Sequence, residues 1–271
     1  MAERHPAEDA ADLGAPVSRD DCGNLLLRSL DPPDFALIQP YLEPVPLHRG
    51  HVIVAPGEPI TFVCFPEIGV TSVADILPDG TRTEIALIGR EGMTNSQLLL
   101  GCEEAPHEAL VQIGSGRSLR VDAEVLRAFC ASRPAAHALL LRFIHALAVQ
   151  TARTLASNLR DPAEKRLSRW LLMCHDRIDG DEIDLIHEHI GRMLGVRRAT
   201  VTDTLHILEG RRAVKSNRGR ILIRDRAVLE ELAGHAYGFA EDHYRRLIGP
   251  FGKGRSKDIR RETPSGLAEP V

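Results

Sequence analysis

The stretch Ile190–Ile223, IGRMLGVRRATVTDTLHILEGRRAVKSNRGRILI, decides how the rest of the chain is read. Ile190, Met193 and Leu194 fall at i, i+3 and i+4, so they share one face of a first helix. Gly195 ends that helix, because it takes the left-handed conformation of a tight turn without steric cost. Val201, Leu205 and Leu208 then give a second helix a single apolar stripe. Its other side carries Arg198, Ala199, Thr202 and Asp203, side chains suited to base edges rather than to a core. Two short amphipathic helices around a glycine turn predict a helix-turn-helix, whose second helix enters the major groove of DNA.

The residues that follow extend the motif. Ala213–Lys215, then Ser216-Asn217-Arg218-Gly219-Arg220, then Ile221–Ile223 read as strand, turn, strand, the hairpin of a winged helix. Between Ile190 and Arg226 stand ten basic residues against Asp203, Glu209 and Asp225. That is +7 in a chain of formal charge −4, so everything else sums to −11. Positive charge gathered on one motif of an acidic chain is the footprint of a DNA reader. The other reading of this charge is a solvated, arginine-rich helical hairpin.

At 271 residues the chain is long enough for two domains, and 43% hydrophobic with 27% charged residues is ordinary for a globular protein. Aromatics make up only 4%, which argues against stacking platforms for single-stranded nucleic acid. No apolar run approaches the roughly 18 residues of a membrane span, and the N-terminus lacks the apolar core of a signal peptide. These features predict a cytoplasmic protein without a membrane partner. Cys22, Cys64, Cys102, Cys130 and Cys174 are odd in number, widely spaced and free of any CxxC pair, as expected of unpaired thiols.

The expected organisation is α+β. Residues 1–22 read as a disordered acidic leader. Residues 23–130 read as a sensor: short helices around Asp31-Pro32-Pro33, then β-branched runs with turn glycines about every ten residues, the pattern of a compact β-roll. Residues 131–161 hold a long helix opened by Pro134, with Leu139, Leu140, Phe143, Ile144, Leu147, Thr151 and Leu155 along a broad stripe. That stripe exceeds what one small roll buries, so dimerisation along it is expected, the alternative being that it lies across its own roll. Residues 162–234 form the winged helix-turn-helix, and 235–271 a last helix and a frayed tail.

This order of parts resembles the Crp/Fnr family of bacterial transcription regulators, over roughly residues 24–249. VIVAPGEP and FPEIGVTS resemble its first roll strands, EKRLSRWLLMCHDRI the helix that opens its reading domain, and HEHIGRMLGVRRATVT its reading motif. HAYGFAEDHYRRLIG resembles a C-terminal segment of one branch. The resemblance implies a cyclic-nucleotide-binding-like roll, a homodimer on an approximately palindromic DNA site, and RNA polymerase as a candidate partner. It places Arg198 at the principal base-reading arginine, which pairs with guanine O6 and N7. Ala199 and Asp203 stand where members often carry Glu and Arg, so the half-site is expected to differ from the best-known consensus. Arg197, Thr200, Lys215, Arg218 and Arg220 are the expected phosphate contacts, and Thr202 an additional base-facing position.

The sensing pocket departs further from the family. Aligned through EGMTNSQLLLG and APHEALVQ, the phosphate-cassette positions hold Asn95, Ser96 and Glu108, and no arginine stands between Arg90 and Arg117. A glutamate in place of the phosphate-binding arginine repels a phosphate, so the effector is expected not to be cyclic AMP. Cys22 stands alone where an iron–sulfur branch needs a cluster, and no cofactor is expected; a histidine or cysteine haem ligand would need no motif. His187-Glu188-His189 lacks HExxH spacing and reads as a polar helix start. Neither a nucleophile elbow nor a phosphate-binding loop is present, so no enzyme is expected. The alternative class is a signal-binding or scaffold module that has lost DNA binding.

Overall fold

The computed structural model describes residues 17–254. Its N-terminal half is the expected roll, built of two antiparallel sheets. One is three-stranded, with β1 (Glu43–Leu47), β7 (Gly116–Asp122) and β3 (Phe62–Pro66) in the order β1-β7-β3. The other is four-stranded, with β2 (Val52–Val54), β6 (Glu108–Ile113), β4 (Val70–Ile76) and β5 (Arg82–Ile88) in the order β2-β6-β4-β5. Val63 pairs with Val121 and Phe65 with Leu119, all buried, while Ile53, Ile88 and Val111 complete the same cluster from the second sheet. Alternation along each strand thus supplies one apolar core between the sheets.

Two short helices, α1 (Leu25–Arg28) and α2 (Pro32–Ile38), close one end of the roll. Asn24 caps α1 by accepting the Leu27 N–H, and its amide donates to the carbonyls of Pro66 and Gly92. The expected leader over 1–22 ends earlier than its composition suggests: Val17 and Cys22 are buried, and the Val17 carbonyl accepts from Gln39. Residues 1–16 lie outside the described residues, as do 255–271.

After α3 (Ala123–Ser132), the long helix α4 runs over Pro134–Arg160, about 40 Å. Its stripe divides in two. Leu139, Leu140 and Phe143 are buried in the roll, and Ile144 and Leu147 pack partly against it. Leu155 and Leu159, however, are 61% and 76% exposed, and with Leu141, Ala148 and Ala152 they form a separate bare stripe. Contrary to the expectation from apolar runs, α4 is long and apolar enough to pass for a membrane span, with a mean hydropathy of 1.2 over 18 residues. Its packing explains the composition: one face belongs to the core of the roll.

The second half begins with α5 (Ala163–His175) and continues through β8 (Glu182–Asp184), α6 (His187–Leu194) and α7 (Arg198–Gly210). It ends in β9 (Val214–Asn217), β10 (Arg220–Ile223) and α8 (Arg226–Ala233). The three strands pair in the order β8-β10-β9. The hairpin turn is tighter than expected. Ser216 and Asn217 continue β9, Asn217 pairs with Arg220, and only Arg218-Gly219 lies between. Helix α8, unforeseen in the sequence, is capped by Asp225, which accepts the Ala227 and Val228 N–H groups.

The two halves are docked. Val70, Leu87 and Ile113 of the roll join the cluster of Leu171, Ile190 and Leu205. Gln150 on α4 receives the Leu87 N–H at 2.7 Å and donates to the Leu87 carbonyl at 3.1 Å, acting as an extra strand beside β5. Beyond α8, helix α9 (Phe239–Leu247) returns to the sensor side, where the Tyr244 hydroxyl donates to the Glu91 carbonyl. Phe251 is buried beside Tyr244, so the tail is packed past Pro250 where fraying was expected.

Candidate DNA-reading surface and sensor cavity

Gly195 sits at φ +60° at the end of α6, and its N–H bonds back to the carbonyls of Arg192 and Gly191. A Cβ on Gly191 would come within 2.9 Å of the Val196 carbonyl oxygen, so the turn closes tightly only over glycine. Helix α7 then starts with Arg197 at its N-cap and no side chain capping its first N–H groups. Val201, Leu205 and Leu208 are buried as the periodicity requires.

The outward face of α7 exposes Arg198, Ala199 and Asp203, as expected, along with Arg197 at its start. Thr202 differs. It is half-buried, and its hydroxyl donates to the Arg198 carbonyl and lies 3.1 Å from His187 Nδ1. Thr200 is half-buried, its carbonyl accepting from Thr204. His206 is exposed three residues beyond Asp203, on the same face, and the sequence reading passed over it. Its i+3 and i+4 spacing from Asp203 and Thr202 was the available signal.

A groove of about 490 Å³ runs between this helix and the wing. Arg198, His206 and Glu209 line one side, Ser216, Asn217 and Arg218 the other, and His187 the floor. Several of the ten basic residues are already engaged. Arg192 pairs with Glu188, Arg211 with Glu164, and Arg226 with Asp176 and Glu230 in the interior. Arg220, an expected phosphate contact, pairs with Glu182 and Asp184 across β8. Among the described residues of this segment, Arg197, Arg198, Arg212, Lys215, Arg218 and Arg224 are exposed without an ion pair. Unpaired positive charge therefore stands at the start of α7 and along the wing, with Arg212 just past the end of α7.

The roll holds a second cavity, about 460 Å³, between the four-stranded sheet, residues 94–97 and α4. Asn95 and Ser96 line it, with Asn95 in the left-handed region at φ +54°. Glu108 does not. Strand alternation turns His107 and Ala109 toward the cavity and Glu108 away, where it pairs with Arg82 at 2.9 Å. The three expected pocket residues are therefore not brought together. The remaining lining comes mainly from apolar and small residues such as Val73, Ile88, Leu147 and Ala148, and includes neither Lys nor Arg. Four of the five thiols are buried and Cys102 is exposed. Burial pushes Cys22, Cys64 and Cys130 up to about 11, which keeps them as unreactive thiols.

A helix-turn-helix with a wing, docked on a β-roll through a long helix, defines a class of two-part DNA-binding proteins. Residues 165–232 match the Crp-like helix-turn-helix domain. The "CRP-like cAMP-activated global transcriptional regulator" of Mycobacterium tuberculosis is 24% identical over 208 residues, spanning 74% of this chain and 92% of its own. Among solved structures, FixK2 from Bradyrhizobium japonicum aligns with a TM-score of 0.62 at 19% identity, over 72% of this chain and 99% of its own. The c-di-GMP responsive global regulator CLP of Xanthomonas campestris aligns at 0.58 and 11% identity, over 71% and 99%. Residues 165–232 thus carry a Crp-like helix-turn-helix domain, and the whole chain is similar in sequence and fold to transcriptional regulators of the Crp/Fnr type.

Proposed function

We propose that this regulator binds double-stranded DNA as a homodimer in the cytoplasm and answers to an effector other than cyclic AMP. The observation that carries the DNA reading is the groove between α7 and the wing, with Arg198 at its edge and unpaired cations at both ends. In this reading Arg198 contacts guanine, while Ala199 and Asp203 set the neighbouring bases. Thr202 acts chiefly through its hydrogen bonds, because its hydroxyl is taken up by the Arg198 carbonyl. Arg197, Thr200, Lys215 and Arg218 engage phosphates; Arg220 is held by its two carboxylates and serves mainly to steady the wing.

Dimerisation is supported by the bare stripe on α4. Leu141, Ala148 and Leu155 recur every seven residues, as do Ala152 and Leu159, the repeat that a second helix covers by side-chain interlocking. The effector reading rests on the roll cavity, which offers a cyclic phosphate no cationic partner. The argument from a repelling Glu108 is replaced by this one, since Glu108 faces elsewhere. The relatives named above are called cAMP-activated in one case and c-di-GMP responsive in the other, so a shared fold leaves the effector open. Selection of duplexes from a random pool, followed by binding at several salt concentrations, tests the reading. Enrichment of a two-fold symmetric site is expected, and recovery of no preferred sequence would overturn it.

A further inference from the structure

His187 was set aside in the sequence as part of a polar helix start, yet its ring joins three elements. It stands at the first position of α6, with Nδ1 3.1 Å from Thr202 Oγ1 on α7 and Nε2 3.2 Å from Ser216 Oγ on β9. We infer that His187 is a positioning residue of the DNA-reading surface: it sets the spacing between α7 and the wing, and DNA binding is coupled to proton uptake on its ring. This rests on the assignment of that groove to DNA.

The hydrogen bonds determine the tautomer. Thr202 Oγ1 donates its one proton to the Arg198 carbonyl at 3.2 Å, so toward His187 it accepts, and Nδ1 carries the ring proton. In the neutral ring Nε2 is then an acceptor, and the Ser216 hydroxyl donates to it. The Ser216 backbone is fixed separately, its N–H donating to Glu209 Oε1 at 2.7 Å. A second proton on the ring reverses the Nε2 contact. Nε2 donates, Ser216 Oγ accepts, and the Ser216 O–H turns toward the groove, where it can donate a hydrogen bond to a phosphate oxygen.

The surroundings favour this coupling. Partial burial, then Arg198 and His206 on α7, hold the His187 ring below the usual histidine range, while Glu209 acts in the other direction. Glu188 on α6 and Arg218 on the wing complete the charged groups around the groove. The free protein therefore carries the neutral ring near neutrality. Phosphates entering the groove add negative charge, which offsets Arg198 and favours the imidazolium. Because the ring's value is then higher with DNA bound than without, affinity rises as pH falls between the two values and is flat outside them.

The test uses the full chain, a duplex recovered by selection, and binding measured between about pH 5.5 and about pH 8. Wild type is expected to bind up to about tenfold tighter per pH unit within the window. His187→Ala should lose that slope and bind about tenfold more weakly at the acidic end, with its base preference retained. His187→Asn, whose amide can still donate to Thr202 but cannot titrate, should match wild type at the alkaline end while remaining flat with pH. Should either variant melt below the assay temperature, NMR titration of the His187 ring in wild type, with and without the duplex, replaces it; a higher value with DNA is expected. An unchanged slope in the variants, or an unchanged ring titration, would overturn the inference. Recovery of no preferred duplex would instead count against the DNA reading itself, so the two failures are distinguishable.

Discussion

Trp170 Nε1 donates a 2.8 Å hydrogen bond to Glu84 Oε1, so the first helix of the reading domain holds a carboxyl group of the sensor roll. Both residues are buried. The bond lies beside the Gln150–Leu87 pair and near the ion pair of Arg177 with Glu91, also buried. Motion of the reading domain on the roll must break the Trp170–Glu84 and Arg177–Glu91 contacts together, while Gln150 holds α4 to the same strand β5. Any signal that shifts the population between docked and undocked arrangements therefore acts through this seam.

The seam is expected to depend on pH. Burial raises the Glu84 carboxyl from 4.5 to about 7, against smaller opposing effects of Ser72, Trp170, Arg169 and Arg177. A raised value means that the docked, folded state has its full stability below pH 4.5 and loses it as pH climbs through about 7, because the ionised carboxylate is poorly tolerated in the buried seam even though the Trp170 N–H favours it. The loss is on the order of 3 kcal/mol. Thermal melts across that range should show wild type losing stability and Glu84→Gln losing much less. Parallel pH profiles would show that Glu84 is not the group responsible.

Gln150→Leu should destabilise the protein by about 2 kcal/mol or more, because it strips both partners from a buried backbone N–H and carbonyl. Leu87 is fully buried, so water cannot replace them. Denaturant unfolding gives the value directly. A change below about 0.5 kcal/mol would mean that Leu87 finds other partners.

Replacing Leu155 and Leu159 together with Glu should leave the roll folded, since both are largely exposed in one chain. Sedimentation is expected to show a dimer for wild type and a monomer for the double variant. A wild-type monomer, or a variant that stays dimeric, would remove α4 as the interface.

Cyclic AMP should leave the melting temperature unchanged at millimolar concentration. A ligand present at about a hundred times its dissociation constant stabilises by about 2.7 kcal/mol, so micromolar binding could not be missed. Such a stabilisation would show that Asn95, Ser96 and His107 hold a phosphate without a cation.

Local structure was well marked in the sequence, and contacts across the chain were not. Gly195 and the stripe of Val201, Leu205 and Leu208 placed the helix-turn-helix, because turn chemistry and helical period act over a few residues. The wing was found but its turn was drawn too wide, since Ser216 and Asn217 are turn-prone residues that strand pairing extends. Helix α8 was missed although Asp225 caps it; its mixture of charges hid the short apolar face of Leu229 and Ala233. Glu108 faces away from the cavity because a step of one residue along a strand reverses the face, and sequence similarity does not fix that step. The roles of His187 and Trp170 depend on residues far along the chain, where no spacing rule reaches.

The most direct test of the account is Arg198→Ala binding to a selected duplex and to a scrambled one over a range of salt. Removing a bidentate contact to guanine should cost about 1–3 kcal/mol on the selected site and relax preference at one base pair of each half-site. The salt dependence should change little, because Arg197, Lys215 and Arg218 still supply the phosphate contacts. A variant that discriminates between the two duplexes as well as wild type does would contradict Arg198 as the base reader.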